Sequence, residues 1–135
     1  MTLDTLTMKK TILIVEDDEA IVFALTAFLE DEGYNVLSAE NGFVALELIR
    51  KHGAPHLILL DMQMPIMNGW QFALEFMDKF DHMSPIVVMT AAVEAEKRAK
   101  SISAIGWIGK PFKLDDLLPL IRKFERAELP AIRTG

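Results

Sequence analysis

The sequence predicts an α/β fold: a doubly wound five-stranded parallel sheet with five helices. Three observations lead there. Five short apolar runs, rich in β-branched residues, show no apolar–polar alternation, which is the pattern of strands covered on both faces. Between them lie segments whose apolar residues recur at helical spacing. Strand and helix alternate along the chain, so successive strands need crossover connections and run parallel.

Residues 1–9, with Thr2, Asp4, Thr5 and Thr7, carry no periodic pattern and read as a short leader. One domain over 10–127 and a tail over 128–135 complete the expected organisation. The first strand is Thr11 to Val15 (TILIV), followed at once by the acidic cluster Glu16-Asp17-Asp18-Glu19. A helix from Glu19 to Glu32 places Ile21, Leu25, Phe28 and Leu29 on one face and stops at Gly33, a residue type suited to the left-handed position past a helix end. Asp18 and Glu19 are assigned to capping and the helix dipole. Strand Tyr34 to Ser38 precedes helix Asn41 to Lys51, and strand His56 to Leu60 precedes helix Gly69 to Phe80. Gly69 is read as serving the turn that opens its helix. Strand Ile86 to Thr90 leads to a helix from about Glu94 to Ile102, which has only Ala95, Ala99 and Ile102 as an apolar stripe and so few anchoring contacts. The fifth strand is expected around Ile105 to Ile108 and the last helix from about Leu114 to Arg126, kinked at Pro119, which removes a backbone hydrogen bond.

The 135 residues fit one domain, and 51% hydrophobic with 25% charged residues suits a compact core. A net charge of -6 repels nucleic-acid backbones and anionic membranes. The absence of cysteine excludes disulfides, thiol catalysis and cysteine-ligated zinc, in keeping with the cytoplasm. No stretch approaches the roughly 20 apolar residues of a membrane span, and the first ten residues lack the pattern of an export signal.

In doubly wound sheets, function collects beyond the carboxyl ends of the strands. Glu16 and Asp17 stand after the first strand, Asp61 after the third and Thr90 at the end of the fourth, while Lys110 follows the fifth. Three acids converging on one place repel each other unless a cation lies between them, and hard oxygen donors favour magnesium or manganese. A carboxylate can act as nucleophile toward phosphorus, with a lysine and a hydroxyl holding phosphoryl oxygens. His52, His56 and His82 follow no ligand spacing and read as surface or strand-edge residues. Met62, Met64 and Met67 read as walls of the pocket.

The runs ILIVEDD, DMQMPIMNG and VVMTA, with Lys110-Pro111-Phe112, resemble the response-regulator receiver family from about Lys10 to Arg126. The resemblance implies a flavodoxin-like fold of the receiver type. It implies that Asp61 is the phosphoacceptor, that Glu16 and Asp17 bind Mg2+ (or Mn2+) with Asp61 and the backbone carbonyl of Gln63, and that Thr90 and Lys110 sense the phosphoryl group. It further implies a cis Lys110–Pro111 bond, and it places Gln63 and Ala92 where the family tunes loss of the phosphoryl group. The implied partners are a sensor histidine kinase or a histidine phosphotransfer protein as donor and a downstream target protein, with no direct nucleic acid and no membrane. The protein would be a single-domain, chemotaxis-regulator-like member of a two-component system or phosphorelay, not an enzyme beyond catalysing its own phosphorylation and dephosphorylation.

The sequence departs from the family at the aromatic switch position, where Trp107 replaces Tyr or Phe and is expected to couple inward packing to Thr90. Ser103 replaces a favoured glycine, and Lys113 replaces the acid common before the last helix, removing an N-cap. Phe23 is expected to point outward near the acids, either docking a phosphodonor helix or packing on the last helix. The competing functions are a pseudo-receiver that docks without being phosphorylated and a phosphohydrolase of the haloacid dehalogenase type. The first usually lacks one of the acids or the lysine, all present here, and the second needs an acid where Gln63 stands.

Overall fold

The computed structural model describes residues 9–81 and 84–123. The leader through residue 8, His82, the end of the last helix and the tail over 128–135 therefore lie outside the described residues. The elements are β1 (Thr11–Val15), α1 (Glu19–Asp31), β2 (Asn35–Ala39), α2 (Gly42–His52), β3 (Leu57–Asp61), α3 (Gly69–Phe80), β4 (Ile86–Ala91), α4 (Ala92–Ser101) and β5 (Gly106–Lys110). A last helix, α5, covers 114–123 of the described chain and continues unbroken across Pro119. All neighbouring strands are parallel, in the order β2-β1-β3-β4-β5.

The period of two along each strand divides the core between the two faces. Leu13, Val15, Ile58, Leu60, Ile86 and Val88 point to one side, against buried residues of α2, α3 and α4 such as Leu46, Phe76 and Ala99. Ile12, Ile14, Leu57, Leu59, Val87 and Met89 point to the other, against Leu25 and Leu29 of α1 and Leu117 and Ile121 of α5. Three helices thus cover one face and two the other, which explains why the strand sequences show no polar alternation.

Local chemistry sets the helix ends. Asp18 accepts from the backbone N–H groups of Ala20 and Ile21 at the start of α1, as its position implies. Asn41 caps α2 by accepting from Val44 N. Asn68 and Gln71 form a reciprocal capping box on α3. Gly33, with φ +99, follows the C-terminus of α1. By contrast α4 has no side-chain cap, since Ala91 stands at that position.

Several boundaries differ from those the sequence suggests. β2 begins one residue later, at Asn35, while Tyr34 is buried in the turn and donates its N–H to Leu29 O. β5 runs to Lys110 because Gly109 and Lys110 pair with Thr90 and Ala91, although neither residue favours a strand. α4 begins two residues earlier than expected and ends at Ser101.

The amphipathic α4 is also held from its flank. Trp70 of α3 donates from Nε1 to Ser101 Oγ at 2.9 Å, and the Arg98 guanidinium lies over the indole, 4.3 Å from its centroid. Arg98 is paired with Glu94 one turn earlier at 2.6 Å, yet its buried Nε finds no hydrogen-bond partner among the described residues. A cation–π contact contributes about 0.5–2 kcal/mol, whereas an orphaned buried donor costs about 1–3 kcal/mol. Gain and cost are of the same size.

Candidate functional site

The site forms at the carboxyl end of the sheet, where β1 and β3 lie side by side at its centre. Glu16 continues β1 by one ladder bond, its N–H donating to Ala39 O at 2.9 Å, and its side chain is only 2% exposed. Asp17 is exposed on the rim. Asp61 is the last residue of β3 and is buried. One carboxylate oxygen from each of Glu16, Asp17 and Asp61 lies within 4.8 Å of the others.

Lys110 closes the cluster from β5. Its Nζ donates to Glu16 Oε1 at 2.6 Å and lies 3.6 Å from Asp61 Oδ2. The Lys110–Pro111 bond is cis, as the resemblance implies. The position of Lys110 within the strand corrects the expectation that β5 ends two residues before it, because the ladder with β4 extends through it. The backbone N–H of Gln63 donates to Asp61 Oδ1 at 3.3 Å, and that of Asp18 to Glu16 Oε2 at 3.1 Å. Thr90, buried near the end of β4, lines with Asp61, Gln63 and Lys110 a cavity of about 560 Å³ that opens between α1 and the Pro111–Phe112 segment.

One ammonium against this many acids leaves the charge unbalanced. Burial pushes the Glu16 carboxyl up to about 7, with repulsion from Asp61 adding to it and the Lys110 hydrogen bond opposing it. Asp61 is also raised, chiefly by burial, against the lowering pull of Lys110. A site that destabilises its own carboxylates when ionised fits a divalent cation, and the oxygen-only donor set fits magnesium or manganese.

The loop after Asp61 is tightly built. Met67 N donates to Pro65 O at 2.7 Å around Ile66, whose φ is +68. This is the more strained of the two γ-turn forms. Met67 O accepts from Gly42 N at 2.9 Å, pinning the loop to α2. A Cβ on Gly69 would stand 2.7 Å from Met62 Cα and 2.9 Å from Asp61 O, so Gly69 is needed for close approach and not for a positive φ. Met62 is buried in the core, and Met64 and Met67 pack on the same cluster, so these methionines support the loop after Asp61 from below and do not wall the cavity.

The walls are instead largely apolar, from Phe112 of the Lys-Pro-Phe run and from Ile21, Ala24 and Leu25 on α1 and Leu114, the last four being residues whose role no local motif announces. Trp107 faces outward at 41% exposure, and Phe23 is 77% exposed on α1. His56 is a strand-edge residue whose Nδ1 accepts from Thr11 N, and His52 is exposed.

Residues 12–122 match the family model described as the response regulator receiver domain. Sporulation initiation phosphotransferase F of Bacillus subtilis (strain 168) is 34% identical over 119 residues, covering 87% of this chain and 94% of that protein. The chain spans about half the length of several transcriptional regulators that it also matches. Among solved structures, the chemotaxis protein CheY4 of Vibrio cholerae superposes with a TM-score of 0.78 at 29% identity, over 86% of this chain and 98% of that one. The response regulator protein TrrA of Thermotoga maritima, solved in complex with Mg(2+)-BeF, gives 0.73 at 33% identity, over 85% and 98%.

Proposed function

This chain belongs to the response regulator receiver family, and from that premise we propose that Asp61 accepts a phosphoryl group from a phosphohistidine, with Mg2+ present, and that the modified protein signals by contact with a downstream target protein. The donor is a sensor histidine kinase or a histidine phosphotransfer protein, and a cytoplasmic location is part of the same reading. The observation that carries it is the meeting of Glu16, Asp17 and Asp61 within 4.8 Å under the ammonium of Lys110.

The magnesium ion, or manganese in its place, would be held by Glu16, Asp17, Asp61 and the backbone carbonyl of Gln63, and would supply neutralisation of the phosphoryl oxygens. The chain's own residues do the rest. A carboxylate oxygen of Asp61 attacks phosphorus as the bond to the donor nitrogen breaks, and that bond's electron pair leaves with the imidazole. Ionised Asp61 is required, and Lys110, 3.6 Å from Oδ2, favours that form. Lys110 is engaged with Glu16 in the structure. With Glu16 holding a cation, the Lys110 ammonium would be released and available to a phosphoryl oxygen. Thr90 offers its hydroxyl to another, and we assign Trp107 to the change that follows on the β5 side. Hydrolysis of the aspartyl phosphate returns the protein to its starting state, and by the family resemblance Gln63 and Ala92 would tune that rate.

Intact mass after incubation with magnesium and acetyl phosphate tests the reading. The protein gains one phosphoryl group and Asp61→Asn gains none. Equal masses for both would overturn it and leave a receiver that docks without modification.

A further inference from the structure

We propose that Trp70, Arg98 and Ser101 form a latch that holds α4 against α3 in the unmodified protein and opens when Asp61 is phosphorylated. The inference rests on the assignment of Asp61 as phosphoacceptor. The latch has two parts, the hydrogen bond from Trp70 Nε1 to Ser101 Oγ at 2.9 Å and the stacking of Arg98 on the indole. Both grip the C-terminal half of α4. Ser101 in turn donates to Arg98 O at 2.7 Å, so a single hydroxyl joins the indole to the last turn of the helix.

The other half of α4 is held differently. It starts at Ala92, two residues after Thr90, with no side-chain cap, and Val93 is 93% exposed. Any shift of Thr90 toward a phosphoryl group on Asp61 is passed through Ala91 directly into this first turn. The helix then either tilts against the latch or opens it. Three features make opening accessible. The bond of Trp70 is exposed to competing water, the buried Nε of Arg98 is left without a partner among the described residues, and the pairing of Arg98 with Glu94 lies within α4 itself and does not involve the indole. A contact with balanced gain and cost is readily tipped by a modest bias.

The test uses magnesium beryllofluoride as the phosphoryl mimic. The two indole Nε1–H signals of the parent, from Trp70 and Trp107, are resolved by 15N–1H NMR and assigned with Trp70→Phe, and the Trp70 signal is expected to shift on addition of the mimic in the Asp61 protein but not in Asp61→Asn. Binding itself is followed separately by fluorine NMR. Because the latch favours the free arrangement, Ser101→Ala and Trp70→Phe each tighten the mimic's binding three- to tenfold, whereas a merely structural contact would lower stability and leave the affinity alone. Bound mimic with an unchanged Trp70 indole signal, or Ser101→Ala binding no tighter than the parent, overturns the latch and leaves the acceptor assignment standing. No bound mimic by NMR overturns the acceptor assignment, and the latch with it.

Discussion

Glu16 is a buried acid that the fold keeps at the expense of stability. In the unfolded chain its carboxyl titrates at about 4.5, and in the folded protein near 7. Between these values the folded state binds more protons than the unfolded one, so stability falls as pH rises through that window and levels off above it. Asp61, raised as well, contributes with the same sign. Urea midpoints of the metal-free protein are expected to drop from pH 5 to pH 7.5, and Glu16→Gln to flatten the profile. A parent profile that rises over this range would refute the assignment. Ile66 is a second such residue, a β-branched side chain at φ +68 and 81% exposed, so little packing offsets its strain. Glycine adopts a positive φ without a Cβ clash, and Ile66→Gly should stabilise the protein by up to about 1 kcal/mol in chemical denaturation. The acids were readable from sequence because each stands at, or within two residues past, the end of a strand. The strain at Ile66 was not, because it depends on the hydrogen bonds that fold the loop around it.

Helices and strands were readable to the extent that their determinants are local. Asp18 caps α1 through atoms two and three residues away, and Gly33 ends it, so both ends follow from short motifs. The end of β5 depends on pairing with Thr90 and Ala91 and could not be inferred from Gly109 and Lys110 themselves. Nor could the contact of Trp70 with Arg98, since it exists only once α3 and α4 pack side by side. Gly69 makes the same point for the loop after Asp61. Its reason for being glycine lies in the backbone of Met62 and Asp61, close against the first turn of α3. Gly69→Ala must push that backbone aside, because the nearest atoms include main-chain ones that cannot rotate away. Destabilisation of about 1–3 kcal/mol is expected, together with slower phosphorylation by acetyl phosphate, as Asp61 moves with the loop. A variant of parental stability and rate would show that the loop yields freely.

At the scale of the whole molecule, the sheet brings together groups that its two apolar faces have no means of neutralising. β1 and β3 are central and covered on both sides, so their carboxyl ends deliver Glu16 and Asp61 into a buried place where, among the described residues, only Lys110 is a fixed cation. The fold therefore carries an electrostatic penalty that a bound divalent ion would remove. A ligand that binds only the folded chain stabilises it by about 2.7 kcal/mol at a hundred times its dissociation constant, which is worth roughly 10 °C in melting temperature for a domain near a hundred residues. Magnesium should raise the melting temperature by up to this amount. Asp61→Asn should melt higher than the parent without metal, having lost one of the repelling charges, and should gain much less when magnesium is added. The pair of measurements separates site binding from general screening of the -6 net charge, since screening would lift both proteins equally. Equal lifts would mean that the three carboxylates do not hold the ion.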